Sequence, residues 1–232
     1  MKRFYELPDS ERLARIHKRC WSIADAVDIG PVNTNIFADV PNIQMVIICE
    51  SPSYAEVESG FPTVCSTGSR IFNNLINANI IDPKPLSLPN NYCFLTHYKL
   101  FASNGIYITN LVRFQADFAV KSNGAEKNAR VKQAWNINKG FLFEELTLIR
   151  ERFGETPVLL ACGSAFESEN IEVIQQLVAM GLPWFVTSHP SRCKNAFCDN
   201  YNPKKWSDPN VKKTSLAQKI TKRFTNCGQQ RP

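Results

Sequence analysis

The sequence predicts an α/β fold: a three-layer α/β/α sandwich around a central, mainly parallel four-stranded sheet. Three observations lead there. Four short apolar runs are continuous rather than alternating, the segments between them carry helical spacing, and the chain length suits one core. The runs are Gln44–Cys49, Ile106–Leu111, Pro157–Cys162 and Pro183–Ser188. A strand covered on both faces reads as an unbroken apolar run, which is the habit of parallel sheets. Between the runs, Gly68–Ala78 places Ile71, Phe72, Leu75 and Ile76 on one helical face. Phe141–Phe153 does so with Leu142, Leu146 and Ile149, and Ala165–Met180 with Ile171, Ile174 and Leu177. A further helix is expected over Ser10–Val27, with Asp9-Ser10 as its cap signal. Strands alternating with helices give a sheet layered on both faces.

With 232 residues and 44% of them hydrophobic, the chain can bury one core of ordinary size. We therefore expect a single domain over 1–232 with a basic C-terminal segment, 192–232. Two stretches interrupt the alternation. Ile81–Gly105 carries Pro83, Pro85 and Pro89 before an aromatic cluster, and reads as an excursion. Arg113–Ala134 is polar and lysine-rich, with Asn123-Gly124 as a turn signal.

The net charge of +6 is unevenly spread: from Arg192 onward ten Lys or Arg face two Asp, so this segment holds +8 and the rest −2. Such a segment suggests a polyanionic partner, although it would also serve as a solubilising tail. No run approaches a membrane span, and the first residues lack the apolar core of a secretion signal, so a cytoplasmic protein with no membrane partner is expected. The eight cysteines contain no C-x-x-C pair. Cys49 and Cys162 lie inside apolar runs, where cysteine behaves as a small hydrophobe, and free thiols are expected.

In open parallel sheets, ligands bind beyond the carboxyl ends of the strands. The first run leads into Cys49-Glu50-Ser51-Pro52-Ser53 and the second ends on Thr109-Asn110. The third runs into Cys162-Gly163-Ser164 and the fourth into Ser188-His189-Pro190-Ser191. A carboxylate, an amide and an imidazole thus converge at one edge. Each has a plain alternative: Glu50 as a capping or salt-bridging residue, Asn110 as a turn residue, His189 as a hydrogen-bonded structural histidine. Their coincidence at three strand ends carries the functional signal.

These residues resemble the uracil-DNA glycosylase superfamily. A strand into E-x-P (Glu50, Pro52) is followed by Gly60, Pro62, Val64 and Gly68 at the family spacing, then Tyr107-Ile108-Thr109-Asn110, then His189-Pro190-Ser191. The resemblance runs from Gln44 to Ser191 with gaps and is nearest to the iron–sulfur branch. It implies a monofunctional enzyme that flips a base out of single- or double-stranded DNA and hydrolyses its N-glycosidic bond, acting as a monomer. By the resemblance, Glu50 orients the attacking water, Asn110 bonds the flipped base, and His189 steadies charge on the departing base. Ser51, Ser53 and Thr63 fall along the base pocket. Ser164, Ser191, Arg192, Lys194 and Asn195 fall on DNA-contacting loops, with Lys204 and Lys205 on backbone phosphates.

The departures carry information too. Phe114 stands where the iron–sulfur branch has a cysteine, and Cys20 has no partner near the N-terminus. No cofactor and no metal are therefore expected. Thr63 replaces an aromatic that stacks on uracil, unless Phe61 substitutes for it. Ser53 stands where a tyrosine blocks 5-substituted pyrimidines, although Tyr54 adjoins it. Both departures favour a bulky modified cytosine, such as the glucosylated hydroxymethylcytosine of phage DNA. No amine nucleophile is evident beside Glu50. A uracil-excising repair enzyme, a non-catalytic DNA-binding module of the same fold and a hydrolase of small nucleosides stand as alternatives.

The charge distribution predicts a salt effect. Reversing Lys204, Lys205, Lys212 and Lys213 to Glu should weaken DNA binding regardless of sequence. The slope of log affinity against log salt should flatten by up to about 0.9 for each phosphate that is no longer neutralised. Binding titrations at several salt concentrations check it; an unchanged slope would make the segment a bystander.

Overall fold

A computed structural model of the chain describes residues 42–53, 56, 66–77, 80–81, 100–112, 124–187 and 189–190. All four apolar runs form strands: β1 (Met45–Cys49), β2 (Ile106–Asn110), β3 (Val158–Leu160) and β4 (Trp184–Val186). They make one sheet in the order β2-β1-β3-β4, with every pairing parallel. All residues of β1, β2 and β3 are buried, which is why their sequences do not alternate.

Helices cover both faces, and the handedness of parallel crossovers explains which goes where. The step from β1 to β2 runs one way across the sheet, and the steps to β3 and β4 run the other way. Right-handed crossovers must then place their helices on opposite faces. Accordingly α1 (Ser66–Asn77) buries Ile71, Phe72 and Leu75 against Met45, Ile47, Ile106, Ile108 and Leu159. On the other face, α2 (Gly124–Phe153) and α3 (Glu167–Ala179) pack on Val46, Ile48, Tyr107, Val158 and Leu160. A short 3-10 turn, Ser164–Phe166, leads from β3 into α3. The result is the three-layer α/β sandwich the sequence predicts. Among the described residues, no helix is long and apolar enough to cross a membrane.

The helix over Gly68–Ala78 begins two residues earlier, and that over Ala165–Met180 is split into the 3-10 turn and α3. The larger difference is α2, whose 30 residues start at Gly124 and absorb half of the stretch that reads as an interruption. Among its described side chains, the N-terminal half buries only Val131, Ala134 and Trp135, so the apolar stripe is too thin to stand out from the polar residues. The Asn123-Gly124 signal marks where the helix begins. The expected Ser10–Val27 helix and most of the Ile81–Gly105 excursion lie outside the described residues. The excursion's end is the turn into β2, where Gly105 has φ +69° and a Cβ would lie 2.5 Å from the Asn42 carbonyl. Only glycine fits there.

A buried polar contact fixes α2 against β2. Along β2 the side chains alternate, so Tyr107 and Thr109 face α2 while Ile106 and Ile108 face α1. The Glu145 carboxyl, 3% exposed, accepts hydrogen bonds from Tyr107 Oη at 2.6 Å and Thr109 Oγ1 at 2.8 Å. Lys139 Nζ meets Glu172 at 2.8 Å and ties α2 to α3. This predicts an ordered pair of effects. Glu145→Ala strands two buried hydroxyls and should lose about 3 kcal/mol of stability, whereas Glu145→Gln, which keeps the volume and an acceptor, should lose about 1 kcal/mol. Urea unfolding of both variants checks this, and equal losses would argue against the paired hydrogen bonds as the cause.

Candidate functional site

The crossover rule also locates a crevice. β1 and β3 are neighbours, yet the chain leaves β1 toward α1 and leaves β3 toward α3, on opposite faces. Where connections diverge in this way, the carboxyl ends of the two strands part and leave room for a ligand. Glu50, the first residue after β1, stands at that point. Its Oε1 accepts a hydrogen bond from the Gly163 N–H, just past β3, at 3.3 Å. On the other oxygen, Oε2, the ammonium of Lys127 lies 3.6 Å away.

The close approach of Glu50 to β3 depends on Gly163. A Cβ built there would lie 3.1 Å from Glu50 Oε1, with no other contact within 4 Å among the described residues. The residue has φ −67° and ψ 168°, a conformation open to any amino acid. Glycine at this position thus leaves room for the carboxylate rather than serving the turn, and a side chain there would need Glu50 to give by a few tenths of an ångström.

The neighbouring strand ends complete the edge. Asn110, buried, pairs in register with Cys49. It shares the side of Ile106 and Ile108, so its side chain lies toward α1, whereas Glu50 reaches α2. The two groups straddle the edge of the sheet. His189, half-buried, follows three residues after β4. Three residues at this edge hold polar side-chain atoms that are buried without a hydrogen-bond partner: Ser51 at Oγ, Thr187 at Oγ1, and Asn170, in the first turn of α3, at both amide atoms. Others occur elsewhere among the described residues, at Asn74, Trp135 and Thr156; those at this edge leave polar atoms that a ligand can bond.

Beneath Glu50, the Cys162 thiol donates toward the carbonyls of Ile48 (3.5 Å) and Cys49 (3.3 Å). Burial first, then the negative charge of Cys49, Glu50 and Glu169, push it well above the ordinary thiol range. A thiol held protonated in this way is neither a nucleophile nor a metal ligand. It behaves as the small hydrophobe expected, as does buried Cys49. Among the described residues, no three metal-ligating side chains come together.

The structure corrects one expectation and assigns a different role to one residue. An amine does lie beside Glu50: Lys127, from the half of α2 that carries no clear helical period. Ser53 belongs to a capping box, in which its N–H donates to Glu56 Oε2 at 2.6 Å and its Oγ accepts the Glu56 N–H at 3.4 Å. The S-x-x-E spacing of Ser53 and Glu56 is the signal for it in the sequence. Glu169, buried near Cys162, escapes sequence reasoning as well, because an acidic residue in a helix's first turn reads as dipole compensation. Thr63, Ser191, Arg192, Lys194, Asn195, Lys204 and Lys205 lie outside the described residues, as does the Ser164 side chain.

No protein-family model matches the chain, and no relative is found among curated proteins.

The Gly163 geometry yields a clean perturbation. Gly163→Ala should leave stability within about 1 kcal/mol of the parent, since no backbone strain is introduced. It should nonetheless displace the Glu50 carboxylate and depress any activity that uses it. Urea unfolding and a crystal structure of the variant check both halves; an unmoved Glu50 would contradict the contact.

Proposed function

We propose that the protein is a monofunctional DNA glycosylase that flips a base out of DNA and hydrolyses its N-glycosidic bond, leaving an abasic site. The observation that supports it most is Glu50 at the divergence of β1 and β3, flanked by Asn110 and His189 at the ends of the adjoining strands. Cleavage of a glycosidic bond passes through an oxocarbenium-like sugar and a base that leaves with its bonding electrons. In this reading Glu50 lies beside C1′, where its negative charge stabilises the cation and its free lone pairs orient the incoming water. His189 faces the departing base and stabilises the charge collecting there. Preorganised charges of this kind are worth several kcal/mol in the transition state. Asn110 bonds the edge of the flipped base, with its amide donor and acceptor turned to suit. Because Asn110 and Glu50 straddle the sheet edge, the nucleotide lies across the strand ends, base toward α1 and sugar toward α2. The unpartnered Ser51 and Thr187 hydroxyls are available to it. The basic segment after Arg192 supplies attraction to phosphates, in a cytoplasmic enzyme acting on intracellular DNA.

The substrate we propose is a bulky modified cytosine, such as a glucosylated hydroxymethylcytosine in phage DNA, which makes the protein a defence enzyme. Ser53 presents no ring to the 5-position of a pyrimidine, and its Oγ accepts the Glu56 N–H at 3.4 Å. Thr63 offers no stacking face, and a stacking partner is worth about 1–3 kcal/mol per base. The added substituent makes up this loss, with Tyr92, His97, Tyr98 and Lys99 of the proline-rich excursion as candidates to meet it.

Duplex and single-stranded DNAs carrying uracil, cytosine, hydroxymethylcytosine or its glucosylated form test the assignment. Abasic sites should form with the glucosylated base, and Glu50→Gln, Asn110→Ala and His189→Ala should each slow single-turnover release about 100-fold or more while DNA binding persists. Efficient excision of uracil with the glucosylated base untouched would sink the substrate assignment. No base release from any of these DNAs would sink the glycosylase.

A further inference from the structure

We infer that Lys127 is a further residue of this site, a positioning cation that offsets the charge of the Glu50 carboxylate and keeps it aimed at the sugar. The inference rests on the glycosylase reading for its chemistry, but the ion pair itself does not. Lys127 is the fourth residue of α2, and its ammonium stands 3.6 Å from Glu50 Oε2. The two side chains are 29% and 15% exposed, so the pair is partly shielded from water and salt.

The groups around Glu50 define what Lys127 must do. From β3 the Gly163 N–H donates to Oε1, while the neighbouring Cys162 thiol donates to backbone carbonyls instead. From α3 comes Glu169, whose negative charge is felt at Cys162 as that of Glu50 is. Lys127, from α2, is the cation paired with Glu50 among the described residues. Two carboxylates thus act on Cys162, and the Lys127 ammonium lies beside one of them. Without it, their repulsion would turn Glu50 away, and a displaced carboxylate loses its attraction for a cationic sugar.

The pair also sets orientation. The Gly163 N–H on one oxygen and Lys127 on the other fix the plane of the carboxylate, leaving its remaining lone pairs for a water molecule. At 3.6 Å the ammonium lies beyond normal hydrogen-bond length, so it contributes charge without covering the oxygen. A nucleophilic role is the competing use of an amine in this place: attack on C1′ of the abasic sugar, loss of water and formation of an imine. The amine held against a carboxylate is a poor candidate for that step, since its lone pair carries a proton in the ion pair.

The test has one arm that needs no substrate. Reductive methylation with formaldehyde and a mild hydride, read by peptide mass spectrometry, should label Lys127 more slowly in the parent than in Glu50→Gln. Equal labelling would overturn the pair whether or not the protein releases bases. The second arm uses the DNA that the parent cleaves. Lys127→Gln should slow single-turnover release about tenfold, with DNA affinity unchanged and the melting midpoint within about 2 °C. Lys127→Arg should restore most of the rate, which a merely structural role would not require. A Lys127→Gln enzyme at full rate, alongside an inactive Glu50→Gln, overturns the inference and leaves the glycosylase standing. So does a borohydride-trapped DNA adduct that disappears in Lys127→Gln, because the amine is then a nucleophile.

Discussion

Two neighbouring strands whose connections depart on opposite faces create a gap that no side chain of the sheet can fill. Between β1 and β3 that gap follows from the strand order and the right-handedness of the crossovers, both of which reflect backbone twist rather than any particular residue. Everything placed at the carboxyl edge depends on it. Glu50 occupies the gap because it is the first residue beyond β1. Gly163 lies opposite because it follows β3 by a few residues, and its lack of a side chain lets the two strand ends share one hydrogen bond. A different order of the same four strands would scatter these groups.

The gap is useful only if the layers around it are rigid, and α2 bears most of that demand. Its C-terminal half is held by Leu142, Leu146 and Ile149 in the core and by Glu145 against Tyr107 and Thr109. Those two hydroxyls alternate with Ile106, Ile108 and Asn110 along one short strand. The same pleat that turns Asn110 toward α1 turns its neighbour Thr109 into the anchor of α2. Any slip of β2 by one residue would exchange the two sets and lose the site and the anchor together.

How much of this the sequence discloses follows from signal strength. The strands are legible because burial on both faces leaves a continuous apolar run, and the residues after each run name the edge of the site directly. Glu50, Asn110 and His189 emerge from that reading with no knowledge of pairing. The N-terminal half of α2 does not, because three buried residues among many polar ones leave too faint a period, and Lys127 is hidden with it. Ser53 carries a second signal that the motif hides. A serine at a pocket-facing place in a motif reads as part of the pocket, while its spacing to Glu56 records a local cap. Short-range bonding competes for small polar side chains wherever a turn begins.

Under the proposed function, a carboxylate at the centre of a DNA-binding site poses an electrostatic problem that the separation of charge along the sequence answers. The proposed substrate is a polyanion and its reacting sugar briefly a cation, so affinity and chemistry ask for opposite signs. The basic residues cluster in the sequence after Arg192, far along the chain from Glu50, and in the proposed reading they serve the backbone phosphates. Their attraction is long-ranged and weakens with salt. At the crevice, distances are a few ångströms and burial is substantial, so individual charges dominate there. Glu50 keeps its aim there because Lys127 offsets its charge at close range and the Gly163 N–H contributes a backbone dipole. In that reading the field at the sugar is set by one oriented carboxylate, while the cationic segment after Arg192 supplies the long-range attraction. Each can be altered without the other, which is what a separation of binding from catalysis requires.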